Sequence, residues 1–285
     1  MLESKNLAAR RAESGDAQYT QGNYDQALYF YELALEEHRS VDNEPGVART
    51  LNSIGKLHLE RGAYEDAVDA FSAARDISQR IGESRISRQS INNLGEVELR
   101  RGEPADAVPL FEEALAEAEA ENDEEERAIL LHNLGTAKVR LGRYEEGRDH
   151  LREARRINED RERFSELAAN LYMLAFVHAR EDDLERARAL LDEALDHDKR
   201  MENSVGIAKD LMALGIVERR LGNYDRSLDY LQRSLQIHIV RNDAQAALQL
   251  LSELERSAQV AGREDEAREY SEQRQRVETA TTAAP

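Results

Sequence analysis

Apolar and small residues return along the chain at helical spacing, and no run alternates with the period of two that marks a strand. The pattern is plainest between residues 51 and 77. Leu51, Ile54, Leu57 and His58 fall on one helical face, and the run ends at Arg61 and Gly62. Tyr64, Ala67, Val68, Phe71, Ala74 and Ile77 then follow on a second face of the same spacing. The reading is helix, turn, helix, with Gly62 supplying a backbone conformation that other residues resist. Pro45 and Pro104 stand where helices begin, a place that tolerates proline. Pro109 falls inside a helix and predicts a kink or a missing hydrogen bond there.

This hairpin recurs. Gly22, Gly62, Gly102, Gly142, Gly222 and Gly262 are separated by multiples of 40 residues, and Asp182 fills the gap. The segments that follow align without insertion: GNYDQAL, GAYEDAV, GEPADAV, GRYEEGR, DDLERAR, GNYDRSL and GREDEAR. Seven positions earlier run Gly15, Gly55, Gly95, Gly135, Ala175, Gly215 and Glu255. Gly55 and Ala67 mark where the two helices of a hairpin cross, since a large side chain would hold the backbones apart. Phe71 is expected to fill the space toward the next hairpin. A prior of two domains for this length yields to the repeat, because stacked units share one continuous core. The last unit is degraded: Glu255, Ser271 and Arg274 replace the glycine, the aromatic and the alanine, a polar end suited to closing a stack.

Composition narrows the function classes. The 285 residues include 58 acidic and 39 basic side chains, a net charge of -19. That field repels a phosphate backbone, so nucleic acid is not an expected partner. No stretch approaches the roughly 20 apolar residues of a membrane-spanning helix. Residues 1–18 contain no apolar core of a secretion signal, so a cytoplasmic protein without membrane contact is expected. Cysteine is absent, and the seven histidines form neither an HExxH motif nor an i,i+4 pair. No metal and no cofactor are therefore expected. No Walker loop, GxSxG elbow or GxGxxG occurs, and carboxylates are dense enough that pairs arise by chance, so the chain does not read as an enzyme. Only five of the 39 basic residues are lysine. A Lys-poor, acidic surface fits a halophilic adaptation, in which hydrated carboxylates keep a protein dispersed, or arginine-rich codon usage with ordinary acidic solubility. The acidic run at 112–126, EEALAEAEAENDEEE, reads as a solvated helix end, with a docking surface for a basic partner as the other reading.

Ile54-Gly55, Gly62-x-Tyr64, Ala67, Phe71 and Ala74, returning every 40 residues, resemble the tetratricopeptide repeat (TPR) family. The longer period and the NLG words at 93–95 and 133–135 resemble its 40-residue Leu-Gly-Asn subclass. The resemblance implies an all-α fold, a right-handed α-solenoid of seven antiparallel helix hairpins (14 helices) forming a TPR superhelix. The expected organisation is an N-terminal cap over 1–7, a single solenoid over 8–278 and a disordered tail over 279–285. Repeats are expected at 8–47, 48–87, 88–127, 128–167, 168–207, 208–247 and 248–278, the last one degenerate and capping.

The resemblance also implies that first helices line a concave groove that grips peptides, while second helices cover the convex side. Carried over column by column, the groove begins polar with Arg49, Asn52, Ser53 and Lys56. It continues through Gln89, Asn92, Asn93 and Glu96, then Ile129, His132, Asn133 and Thr136. It turns apolar at Tyr172, Met173, Phe176, Met212 and Ile216. Asn93 and Asn133 are the strongest single candidates, because an amide offers donor and acceptor together to an extended peptide backbone. Their competing role is a hydrogen bond to a neighbouring helix. The Lys-then-Asn clamp for a terminal carboxylate found in chaperone-binding relatives is missing, since the matching pairs are Asn52/Lys56, Asn92/Glu96 and His132/Thr136. Arg100, Arg140, Arg180 and Arg220 form a column 40 apart near the ends of four first helices. They suit an acidic peptide, or they only complement helix dipoles. The apolar residues suit a partner's hydrophobic anchors, or they form an internal packing stripe. The expected function is a non-catalytic protein–protein interaction scaffold that binds a peptide or protein segment carrying acidic and hydrophobic anchors. The alternative is a peptide-responsive regulator or sensor that changes superhelix shape on binding. The expected state is a monomer or weak homo-oligomer.

Overall fold

A computed structural model describes residues 2–283. Among these residues there are fourteen α-helices and no strand. They are α1 (Leu2–Thr20), α2 (Tyr24–Ser40), α3 (Glu44–Glu60), α4 (Tyr64–Ile81), α5 (Ser84–Arg101), α6 (Pro104–Ala120) and α7 (Glu124–Arg140). They continue as α8 (Tyr144–Asp160), α9 (Phe164–Arg180), α10 (Leu184–Arg200), α11 (Ser204–Arg220), α12 (Tyr224–Val240), α13 (Ala244–Val260) and α14 (Glu264–Ala283). The all-α hairpin fold expected from the 40-residue spacing is the fold the chain has. The single solenoid expected over 8–278 is organised as two compact units, Met1–His150 and Leu151–Pro285, with the division inside α8.

Helix ends follow from backbone conformation. Gly22, Gly62, Gly102, Gly142, Gly222 and Gly262 all have φ between +72° and +85°, and Asp182 takes the same role at +64°. The turns between hairpins reverse in the same way at Asp42, Gly82, Asn122, Glu162, Glu202 and Asn242. A left-handed residue therefore falls every twenty positions, and each closes one helix. Asn43, Asp123, Asn203 and Asp243 then cap the helix that follows, their side chains accepting from a backbone N–H three residues on. α6 runs unbroken through Pro109, whose ring has no N–H to give the Ala105 carbonyl.

Within each hairpin the close crossing is visible as missing space. A Cβ on Gly55 would stand 2.5 Å from the Phe71 ring, and one on Gly95 would stand 2.5 Å from the Phe111 ring. Gly15 bears the same relation to Tyr31, and Gly215 to Leu231. Phe71 also reaches the next hairpin, packing with Leu94 and Val97 of α5. In the last hairpin the crossing is rebuilt with charge. Arg274 reaches Glu255 at 3.3 Å, and Tyr270 supplies the ring one position early, its hydroxyl accepting from Gln232 at 2.6 Å.

In unit 1, α1 to α6 form three hairpins that pack in order, and α7 packs on α6. In unit 2, α9 to α14 do the same. The direct contacts that skip an element join first helices: α1–α3, α3–α5 and α5–α7 in unit 1, α9–α11 and α11–α13 in unit 2. First helices thus hold the more crowded side of each stack. The expected cap at 1–7 is part of α1 from Leu2 onward, and the expected tail at 279–285 is helical as far as Ala283. Arg274–Glu278 and Arg276–Glu272 pair one turn apart just before it, and no glycine or proline interrupts α14. Met1, Ala284 and Pro285 lie outside the described residues.

Ala67 is fully buried at the α3–α4 crossing. Ala67→Leu should overpack it and lower stability by about 1–3 kcal/mol in denaturant unfolding. An unchanged midpoint would remove the close-crossing argument.

Candidate ligand-binding faces of the first helices

In unit 1, α3, α5 and α7 enclose a polar cavity of about 410 Å³. Lys56, Asn92, Asn93 and Asn133 come together around it, with Glu96 and Glu125 also on its wall. Arg49, Asn52 and His132 do not line it. Asn133 donates its amide N–H to Asn92 Oδ1 at 2.8 Å, across 41 residues of sequence. These two amides therefore satisfy one another between α5 and α7. Asn93 is different. It is only 5% exposed, and its Nδ2 has no hydrogen-bond partner. A buried donor without an acceptor costs about 1–3 kcal/mol, so it marks a place where an acceptor from outside would be welcome.

Asn52 is buried rather than open to the groove, and its Oδ1 accepts from the Ser90 hydroxyl at 3.0 Å. Arg49 is exposed on α3 and faces His38, whose imidazolium is disfavoured first by burial and then by the Arg49 charge. Burial also holds His132 down, to about 4, so its ring is neutral at physiological pH.

One residue beside the polar cavity has no counterpart in the sequence-level reading. Arg88 of α5 is 1% exposed and gathers three carboxylates: Glu121 at 2.6 Å, Glu126 at 2.9 Å and Asp123 at 3.5 Å. Burial opposes its charge, and the Glu121 and Glu126 carboxylates more than offset that, so it is held protonated. Its column otherwise reads Ala8, Ala48, Ala128, Ala168, Ala208 and Leu248, and an arginine among apolar residues is the trace it leaves in the sequence. Arg88 binds α5 to the α6–α7 turn and α7, and so fixes the cavity wall.

In unit 2 the corresponding faces of α9 and α11 are apolar. Tyr172, Phe176 and Met212 line an open pocket of about 330 Å³ with Ala179, Ala213 and Ile216. Phe176 is 43% exposed at the rim. The pocket exists partly because Ala179 stands where Leu59, Leu99 and Val139 stand in earlier repeats. Met173 does not line it. Tyr172 is held above the usual phenol range, first by burial and then by the nearby Asp210.

The arginine column bonds within the stack. Arg100 pairs with Glu60 at 2.7 Å and Glu96 at 3.2 Å. Arg140 donates to the Leu99 carbonyl at 2.8 Å. Arg220 donates to the Ala179 carbonyl at 2.6 Å and to Asp182 at 2.9 Å. Each reaches back to the end of the preceding first helix, where carbonyls lack helical partners. Arg180 lies 5.8 Å over the Phe176 ring, and with Arg220 it borders the apolar pocket.

Among the described residues no helix is long and apolar enough to cross a membrane, and no group of three or more His, Asp or Glu could hold a metal ion. Stacked helix hairpins with a polar cavity on one set of first helices and an apolar pocket on another define a helical-repeat protein. The chain belongs to the tetratricopeptide repeat family, which it matches over residues 8–80, 87–160 and 166–239. No curated protein matches it in sequence. Among solved structures it is similar to BtubC (BKLC) from P. vanneervenii, at 20% identity and a TM-score of 0.68 over 78% of this chain and 94% of that one. It is similar to a Rap protein complexed with Competence and Sporulation Factor, at 19% identity and 0.74 over 95% and 74%. It is also similar to the Rap conjugation gene regulator of the plasmid pLS20 in complex with the Phr* peptide, at 22% identity and 0.70 over 94% and 74%. These likenesses are in fold.

Asn133→Ala removes the α5–α7 amide bond and strands Asn92 Oδ1. Stability should fall by about 0.5–1.5 kcal/mol in chemical denaturation. No loss would mean that the bond holds nothing together.

Proposed function

We infer that the chain is a non-catalytic protein–protein interaction scaffold that binds a peptide or protein segment on its first-helix faces. The observation that carries this reading is the Asn93 amide, buried in the wall of the unit 1 cavity with an unmet donor. Once the side chain turns that N–H toward the cavity, a ligand's backbone carbonyl satisfies it whatever the ligand's side chain, which suits an extended peptide. The unit 2 pocket, bordered by Tyr172, Phe176 and Met212, suits an aliphatic or aromatic side chain as a hydrophobic anchor. Lys56 on the unit 1 cavity wall, and Arg180 and Arg220 at the border of the unit 2 pocket, are cations suited to an acidic residue of such a segment.

A second reading is a peptide-responsive regulator. It draws on the likeness to a Rap protein complexed with Competence and Sporulation Factor and to the Rap conjugation gene regulator in complex with the Phr* peptide.

Selection of peptides from a displayed random library on the full chain tests the first reading. The selected peptide should bind Asn93→Ala about tenfold more weakly, with little change in the unfolding midpoint. Equal affinity for both chains would overturn the groove assignment. Small-angle scattering with that peptide separates the readings: compaction favours the regulator, and an unchanged profile favours the static scaffold.

A further inference from the structure

Two columns of the repeat stand at every joint between hairpins: a residue in the last turn of a second helix, and a residue in the second turn of the next first helix. The pairs are His38 with Thr50, Ser78 with Ser90, Ala118 with Leu130, Asn158 with Asn170, Asp198 with Asp210, and His238 with Leu250. Ser78 and Ser90 are both buried and polar, and Ala118 and Leu130 both buried and apolar. In unit 2 the Asn158 amide donates to Asn170 Oδ1 at 2.7 Å, with both residues buried. One repeat later the same two places hold carboxyl groups, Asp198 at 4% exposure and Asp210 at 2%.

Asp198 is fixed from two sides. Asn203 donates to its Oδ1 at 2.9 Å, and its Oδ2 lies so close to the α11 backbone that a methyl group on Gly206 would collide with it. Asp210 Oδ2 is buried and has no partner. The titratable groups facing Asp210 are Asp198 from α10 and Tyr172 from α9, with Lys209 beside it on α11. α12 contributes Ser234, whose hydroxyl donates to the Ala208 carbonyl at 2.7 Å. Two ionised carboxylates are acceptors only and repel each other out of water. A hydrogen bond between them, in the manner of the Asn158–Asn170 pair, needs a proton on one.

We propose that Asp198 and Asp210 form a proton-binding site, an acid–carboxylate pair that holds one proton at neutral pH and closes the α10–α11 joint beside the apolar pocket. Asp210 stands two residues before Met212 and faces Tyr172, and both Met212 and Tyr172 line the pocket. The inference stands apart from the peptide-binding reading. Burial first, and Asp198 second, raise the Asp210 carboxyl from its ordinary 3.8 to about 8. The sign follows from linkage. An unfolded chain ionises Asp210 above 3.8, while the folded chain keeps the proton until about 8. The stability tied to the protonated pair is whole below the lower value and is lost as pH rises to the upper one. Within that window the unfolding equilibrium constant shifts by up to about tenfold per pH unit.

The test uses the full chain and two readouts. The infrared C=O stretch of a protonated carboxyl should be present in the wild type at neutral pH, vanish above about pH 8 and be missing from Asp210→Asn at neutral pH. Denaturant unfolding of Asp210→Asn, which imitates the Asn-bearing joint, should be stronger than wild type at neutral pH and should lose the decline across the window. Asp198→Asn should lower the pH at which the band disappears, because burial of Asp210 persists while the Asp198 charge is gone. A wild type without the band, a band that survives in Asp210→Asn, or an unaltered pH profile would each overturn the proposal. Should a variant fail to fold, the wild-type infrared titration decides alone.

Discussion

The close crossing of the two helices in each hairpin is the constraint on which the rest depends. Gly55 and Gly95 leave room for Phe71 and Phe111 to press directly on the first helix of their own hairpin. The same rings fill space toward the next hairpin, as Phe71 does with Leu94 and Val97. One contact therefore sets two spacings, within the hairpin and between hairpins. With both spacings fixed, residues 38 to 41 apart in sequence meet across first helices. That register lets Asn133 reach Asn92, Arg100 reach Glu60 and Arg88 reach Glu126. The cavity around Asn93 is a product of the register, because no single helix could enclose it.

The same register gives arginine a structural use that suits its planar fork of donors. Arg88 gathers three carboxylates, Arg220 joins a carbonyl to a carboxylate, and Arg219 joins the Glu253 carboxylate at 2.6 Å to the Ser257 hydroxyl at 3.2 Å. A planar fork of donors makes such joints in a fixed geometry, whereas the ammonium of Lys138 makes a looser one, 3.4 Å from Glu112 and 3.5 Å from Glu146. Five lysines among 39 basic residues thus have a reason in packing, beside codon usage or salt adaptation.

The hairpin fold was legible because its punctuation is chemically strict: only glycine adopts a left-handed turn at no steric cost, and Asp182 could be placed in the glycine column by spacing alone. The turns between hairpins were less legible. Asp42, Asn122, Glu162, Glu202 and Asn242 adopt the same φ sign with mixed identities, so no column stands out. The site was legible in part. Asn93 and Asn133 lie on the cavity wall, but the sequence cannot say that Asn133 already bonds to Asn92 while Asn93 keeps a free donor. The arginine column was visible, and its carbonyl partners were not, because they belong to the preceding hairpin. The apolar pocket depends on volume that is missing at Ala179, and Arg88 depends on a cluster of carboxylates assembled from the following turn and helix.

On the proposed reading, ligands engage first helices and leave second helices alone. Hydrogen exchange on the full chain, with and without a library-selected peptide, tests it directly. Slowed exchange is expected in α5 and α7, or in α9 and α11, with α4, α6, α10 and α12 unchanged. Protection confined to the second helices would contradict it.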